Sequence, residues 1–497
     1  MQDFLLGFQG LFSDPLNILI FAGALVGGLV FGAVPGLNAV VLATILLPFT
    51  GFLDATQAIM LLAVIYVAGV YGGAVTAILF NIPGSPENAP TAFDGYPMTQ
   101  QGRASKAIGA AITCSALGGA ASAVIMMIAT EPLANWAIRA FGPPEIFSLI
   151  VLGITIAASV GAKDLWRGWL SVGLGLLIAT IGTDAAGGLR RFDFGNAYLA
   201  AGVHFVPLIL GFFAITEVLV QGRYIAAGTR EAPKLDYAFP SFREFWAARV
   251  TMVRSVVIGF FSGLLPGIGA TLASFLSYSE AMRWSKHPER FGKGELEGVI
   301  ASETANNAAT GGAMIPLLAL GLPGGARTAV MVGAFQIHGM EPGPLVLITS
   351  KELVWVVFVA MFLANVAILL LGWVETKTTV HLLKIPFGIL GPMIVVISAI
   401  GAYALRNLVI DVWVMFAAGI IGYFLRRSGY SMPGIVLGVI LGKIGESNFV
   451  KTMQMLDYDP TGFVTRPVSL VFLVLTALTL VFSIRTLMSA RLAQTTQ

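Results

Sequence analysis

The chain has 497 residues, of which 57% are hydrophobic and 11% charged, with a mean hydropathy of +0.85 and a formal charge of +3. A soluble domain carries roughly 25% charged residues, so the composition excludes a large soluble core and predicts an all-α polytopic membrane protein. The single Cys114 excludes intrachain disulfides and cysteine-built metal or iron–sulfur centres, and reads as a buried, inert thiol.

Apolar runs near 16–34, 38–50, 57–80, 105–130, 145–161, 166–182 and 198–220 fill the first part of the chain. Further runs lie near 251–265, 270–281, 299–322, 325–338, 353–374, 386–405, 408–424, 432–444 and 467–488. A crossing needs about 20 apolar residues. Several runs are shorter, so about 10–12 crossings with additional re-entrant hairpins are expected. The N-terminus lacks a basic region and its first apolar run continues into the core, so no cleavable signal is expected. No Lys or Arg precedes Arg103, and basic residues gather at 223–254 and 283–293. Such loops are expected in the cytoplasm. Acidic residues alternate with them, which argues against nucleic-acid binding.

One punctuation recurs in both halves. Gly32-Ala-Val-Pro-Gly36 is followed by Gly72-Gly73 and Asn81-Ile-Pro-Gly84; Gly263-Leu-Leu-Pro-Gly267 is followed by Gly311-Gly312 and Gly321-Leu-Pro-Gly324. Pro lacks an N–H and Gly costs helix stability, so each pair breaks a helix. Within hydrocarbon, broken backbone survives only where it lines an enclosed cavity. Matching breaks in two halves are the sequence mark of a secondary transporter's binding site. The expected organisation is a first repeat at 1–221, a polar linker at 222–250 with a short amphipathic helix near Phe242–Val250, and a second repeat at 251–497. The spacing from Pro35 to Pro83 is 48 residues and from Pro266 to Pro323 is 57; the surplus falls in the charged loop 283–297. An inverted arrangement would set the paired loops on opposite sides of a shared site.

The breaks carry the candidate residues. Around Asn81, Pro83 and Gly84, the oxygens of Asn81, Ser85, Asn88 and Thr91 suit a cation or a carboxylate, and freed N–H groups suit an anion. The alternative is an ordinary extramembrane turn. Asn306 and Asn307 lie in an apolar helix, where they need partners, water or ions; helix–helix hydrogen bonding is the alternative. Beyond Pro323 and Gly324, Arg327 can anchor a carboxylate bidentately or snorkel to a headgroup. Near the remaining breaks, at Gly36 and Gly267, Asn38 and Thr271 are the nearest polar side chains. Asn38, Asn81, Thr271 and Asn306 are the candidate sodium ligands, since hard cations take oxygen; kinked packing helices are the alternative. Glu303 is a candidate cation ligand or proton relay, or a helix-end carboxylate paired with a neighbour. The four His show no metal spacing and read as structural. No P-loop, HExxH or GxSxG motif is present, so no ATP-driven engine, enzyme active site or cofactor is expected.

The runs 32–38, Tyr71–Gly84 and Asp94-Gly-Tyr-Pro97 resemble the large membrane subunit of the tripartite tricarboxylate transporter family. So do Phe291–Val299, Glu303-Thr-Ala-Asn-Asn-Ala308, Leu320–Gly324 and His338–Pro344. The resemblance runs from about 16 to 460. It implies a multi-pass protein of the bacterial inner membrane, with two inverted repeats, paired re-entrant hairpins and an elevator mechanism. It implies a small four-helix membrane subunit, a periplasmic solute-binding protein, and sodium-coupled uptake of di- or tricarboxylates such as citrate. Arg327 and Glu87 stand where the family pattern has small or neutral residues. Two other functions compete. A channel or passive pore would also need helix breaks, but not two matched loops or a soluble binding protein. An intramembrane enzyme would need a catalytic pair, and only Glu303 comes near one.

Overall fold

The computed structural model describes residues 2–34, 37–159, 164–184, 188–222, 239–265, 269–382 and 387–495. The first part contains α1 (Gln2–Ser13), α2 (Pro15–Ala33), α3 (Ala39–Leu46), α4 (Ala55–Phe80), α5 (Ala89–Gln100), α6 (Ala104–Ala140), α7 (Pro143–Ser159) and α8 (Leu165–Ala179). A two-stranded antiparallel ribbon, β1 (Gly182–Thr183) and β2 (Arg190–Arg191), precedes α9 (Ala197–Ala200). Next, α10 (Phe205–Ile209) runs through a π turn at Leu210–Ile215 into α11 (Thr216–Gln221). Then come α12 (Phe242–Ala247), α13 (Arg249–Gly263), α14 (Gly269–Trp284), α15 (Leu296–Leu320), α16 (Ala326–Ile337), α17 (Val346–Thr349) and α18 (Lys351–Leu382). The chain closes with α19 (Phe387–Ala404), α20 (Val409–Arg427), α21 (Met432–Met455), α22 (Gly462–Thr465) and α23 (Pro467–Thr495).

Among the described residues, six helices are long and apolar enough to cross a membrane: α2, α4, α6, α18 over Lys351–Val374, α20 and α21. Further apolar stretches form helices of 10–17 residues, including Ala39–Phe52, Pro143–Ala158, Leu165–Ala179 and Pro467–Val481. Ten to twelve crossings are expected from the sequence; among the described residues six helices meet the length and composition of a crossing, and the remaining apolar runs form the shorter helices. The protein is all-α and polytopic, with one small β-ribbon among the described residues.

Local chemistry fixes the helix ends. Asp54 and Gln57 form a capping box at the start of α4: the Gln57 N–H donates to Asp54 Oδ1 at 2.8 Å, and the Asp54 N–H donates to Gln57 Oε1 at 3.3 Å. At the other end Asn81 is left-handed (φ 57°, ψ 36°), a conformation Asn tolerates. α15 ends the same way at Gly321 (φ 73°, ψ 15°). Both helices are buried almost along their whole length, as befits helices without a polar face.

Small residues set the packing. Gly28 and Gly32 of α2 lie against Ala68 and Gly72 of α4; Gly259 and Gly263 of α13 lie against Ala308 and Gly312 of α15. Such small-xxx-small seams let helix backbones approach closely where apolar burial gives helices no preference over lipid. α15 also packs extensively on α6, and α4 on α18, so the helices of the two halves interlock. The described end of the linker, α12, sits beside α6 through a Lys106–Glu244 ion pair at 2.5 Å; its residues 223–238 lie outside the described residues.

Candidate functional site

The broken helices meet at one cavity of about 500 Å³. Its wall includes Asn38 before α3, Ser85, Pro86 and Glu87 before α5, Gly269–Thr271 at the start of α14, and Gly324–Thr328 at the start of α16. Ser431–Gly434, the start of α21, joins them. Four helices, α3, α14, α16 and α21, therefore begin at this wall, and the turn that leads into α5 joins them. Each first turn carries N–H groups without an intrahelical acceptor, and each N-terminus carries about half a positive charge. The arrangement suits an anion.

Each break is organised by its own residues. The Asn38 side chain caps α3, accepting from the Val41 N–H at 3.0 Å. After α4, the Ile82 N–H reaches back to the Thr76 carbonyl (3.2 Å) and the Gly84 N–H to the Gly73 carbonyl (3.2 Å). Ser85 Oγ donates to Asn88 Oδ1 (2.8 Å), and Asn88 Nδ2 donates to the Val70 carbonyl (3.0 Å). After α15, the Leu322 N–H repeats the first of these bonds, to Pro316 (3.0 Å), and the Gly325 N–H donates to Thr328 Oγ1 (2.8 Å).

Charge enters the cavity in pairs. Arg327 is ion-paired with Glu87, donates from Nη2 to Ser85 Oγ at 3.3 Å, and stacks 5.2 Å from the Tyr66 ring centre. Arg426 is ion-paired with Glu217. All four charged residues line the cavity.

Behind the first break lies a buried polar network centred on Glu303, which is wholly buried. Its carboxylate accepts from Thr91 Oγ1 (2.5 Å), Ser115 Oγ (2.8 Å) and Asn306 Nδ2 (3.1 Å). Asn306 Nδ2 also lies 3.5 Å from the Glu87 carbonyl. Asn307 Nδ2 donates to Asn306 Oδ1 (2.7 Å) and to the Glu303 carbonyl (3.2 Å). Hydroxyl and amide donors thus offset the desolvation of a buried acid.

Of the sequence candidates, Asn38, Ser85, Thr271, Gly324 and Arg327 line the cavity. Asn88, Asn306 and Asn307 are wholly buried and absent from its wall. Gly84 is a packing position: a Cβ there would lie 2.5 Å from the Gly32 carbonyl oxygen. Pro83 and Pro323 shape the breaks without lining the cavity, and Asn81 is an exposed left-handed cap outside it. Gly36 and Gly267 lie outside the described residues. The four sodium candidates therefore do not form one cluster: Asn38 and Thr271 share the cavity, Asn306 lies behind it and Asn81 lies at the surface. Sequence reading missed Glu217, Arg426 and Ser431–Gly434. Glu217 interrupts an apolar run, itself a functional signal, and Pro433-Gly434 repeats the punctuation of the other breaks.

The long apolar helices and their exposed apolar surfaces define a multi-pass membrane protein. The sequence model described as the Tripartite tricarboxylate transporter TctA family matches residues 18–437. The chain belongs to this family, and is a transporter component rather than an enzyme. Members form the large subunit and work with a membrane partner and a solute-binding protein. The chain is 37% identical over 470 residues to an uncharacterized 52.8 kDa protein in the TAR-I ttuC' 3'region of Agrobacterium vitis, covering 93% of this chain and 92% of that protein. It is 40% identical over 207 residues to an uncharacterized protein in the TAR-II ttuC' 3'region of the same organism, covering 42% of this chain and 86% of that one. No solved structure is significantly similar.

Proposed function

We propose that this subunit takes up an organic acid bearing carboxylates, a di- or tricarboxylate such as citrate, across the bacterial inner membrane. The observation that carries this reading is the convergence of four helix N-termini with Arg327 and Arg426 on one cavity. Positive helix ends and guanidinium groups are the donors a carboxylate needs. A small four-helix membrane subunit completes the complex, and a periplasmic solute-binding protein delivers the substrate.

Uptake is coupled to a cation, in this reading sodium. The neutral oxygens of Asn38 and Thr271 at the cavity, with Asn306 behind it, support that choice. Transport proceeds by alternating access between two inverted repeats, 1–221 and 251–497, whose broken segments act as paired hairpins in an elevator movement. Support for the duplication comes from matched contacts. Gly28 and Gly32 meet Ala68 and Gly72 as Gly259 and Gly263 meet Ala308 and Gly312, and left-handed Asn81 and Gly321 each precede a Pro-Gly pair.

Reconstitution of this chain with its small partner and binding protein tests the reading. Organic-acid uptake is expected in sodium and lost when potassium replaces it. Uptake unchanged in potassium but abolished by a protonophore would assign proton coupling instead. Flux that follows the substrate gradient alone, with no cation or binding-protein dependence, would make the protein a pore.

A further inference from the structure

Glu87 lies four residues past Pro83 and Arg327 four past Pro323, the matching places after the two matching breaks. They are ion-paired with each other in the cavity, where Glu87 is 4% exposed. The pair is incompletely hydrogen-bonded: among the described residues, Glu87 Oε1, the atom against Arg327, makes no aligned hydrogen bond, and the buried Arg327 Nε meets no acceptor. Guanidinium–carboxylate recognition is strongest when bidentate. Arg327 is thus held by a carboxylate that leaves some of its donors unused.

Resting on the carboxylate-uptake reading above, we propose that Glu87 is a built-in substitute for the substrate carboxylate, and that its release is the step that recruits a coupling cation. The enclosed pair is neutral. A substrate carboxylate that takes Arg327 leaves Glu87 as an unpaired buried anion, and the pair plus that carboxylate then carry one net negative charge. Glu87 is itself buried, and an uncompensated buried charge is costly. One monovalent cation, sodium or a proton, restores neutrality at Glu87. Its neighbours suit this role. Ser85 and Tyr66 flank Arg327, and Asn306 ties the Glu87 backbone to Glu303 behind. Each substrate carboxylate that displaces Glu87 from Arg327 would then bring one cation with it.

The test uses the full complex in proteoliposomes, with radiolabelled citrate and succinate as probes. Cation-to-substrate ratios are read from the reversal of flux against opposed gradients, in separate sodium and pH arms. Glu87→Gln removes the competing carboxylate and the cation acceptor together. The expected result is a ratio lower by one, in whichever arm carries the wild-type coupling, with half-saturation lowered by about tenfold. Glu87→Asp keeps the charge and is expected to keep the wild-type ratio. A ratio unchanged in Glu87→Gln overturns the proposal whatever its affinity. Should that variant fail to assemble, substrate binding to the solubilised wild-type complex decides. Affinity must strengthen about tenfold per tenfold rise in sodium or in proton activity, and affinity independent of both overturns the proposal. If the wild-type complex transports neither probe, the function reading fails instead. If it transports with cation coupling but Glu87→Gln retains the full ratio, only this inference fails.

Discussion

Gly263 and Gly312 face each other across α13 and α15 so closely that a Cβ on Gly312 would lie 3.0 Å from Gly263 Cα and closer still to the Phe260 carbonyl oxygen. In the first half, a Cβ on Gly72 would lie 2.5 Å from the Leu29 carbonyl oxygen. Backbone atoms cannot yield as a flexible side-chain tip can. Gly312→Val and Gly72→Val are therefore expected to separate the seams that position the breaks. Overpacking typically costs about 1–3 kcal/mol. Fluorescence-detected size-exclusion chromatography should show less assembled complex for both, and wild-type profiles would refute the close approach.

Asn306→Ala is expected to impair transport while the complex still assembles. Asn306 bonds to Glu303 and lies beside the Glu87 backbone, so its loss unties the cavity from the network behind it. Asn307→Ala is expected to act similarly through the lost contact to Asn306. A lost hydrogen bond to a charged group costs about 1.5–3 kcal/mol. Transport rate measured beside membrane expression separates the outcomes: a variant that fails to reach the membrane would mark its Asn as a packing residue.

Arg426→Ala should leave Glu217 buried without its ion partner, and should remove one of the two guanidinium groups on the wall. Arg426 is partly exposed, so solvent screens the pair and the expected loss is below the roughly 3–5 kcal/mol of a fully buried one. Arg426→Ala combined with Glu217→Gln is expected to recover thermal stability without recovering substrate affinity. Recovery of both in the double variant would show that Arg426 is purely structural.

At α12, Lys106 beside Glu244 holds that carboxyl below the usual carboxylate range. The folded pKa is depressed, so the contribution is present above the ordinary carboxylate pKa and disappears as pH falls through the lowered one. Both groups are partly exposed, which limits the pair to about 0.2–1 kcal/mol. Glu244→Gln should therefore lower the thermal midpoint slightly near neutral pH. That difference should vanish in acid, and a difference that grows in acid would contradict the pairing.

Much of this was readable beforehand because Pro and Gly act locally. The breaks at 81–84 and 321–324 fall at the punctuation, and the side-chain amides of Asn306 and Asn307 are buried and donate hydrogen bonds. Other features depend on contacts that no local pattern encodes. The Glu87–Arg327 pair joins residues in different halves, and Glu217 meets Arg426 only through the packing of α11 on α20. Asn81 looked like a ligand because it is polar and lies in a break, yet its position demands a residue that tolerates positive φ. Residues 89–100 form α5 although they carry Pro90, Gly95 and Pro97. Pro90 falls in the first turn, where its missing N–H costs nothing.

The central claim is that the cavity where the breaks meet is the carboxylate site and that Arg327 holds the substrate. Its most direct measurement is the half-saturating organic-acid concentration for Arg327 variants of the reconstituted complex. Arg327→Ala is expected to raise it about tenfold to a hundredfold, the equivalent of one charge-assisted hydrogen bond. Arg327→Lys keeps the charge but loses the bidentate fork, and should raise it less. Lys351→Ala, which removes an ion pair with Asp3 outside this cavity, should leave it unchanged. Wild-type substrate dependence in Arg327→Ala would contradict the account, showing that Arg327 serves only its pairing with Glu87.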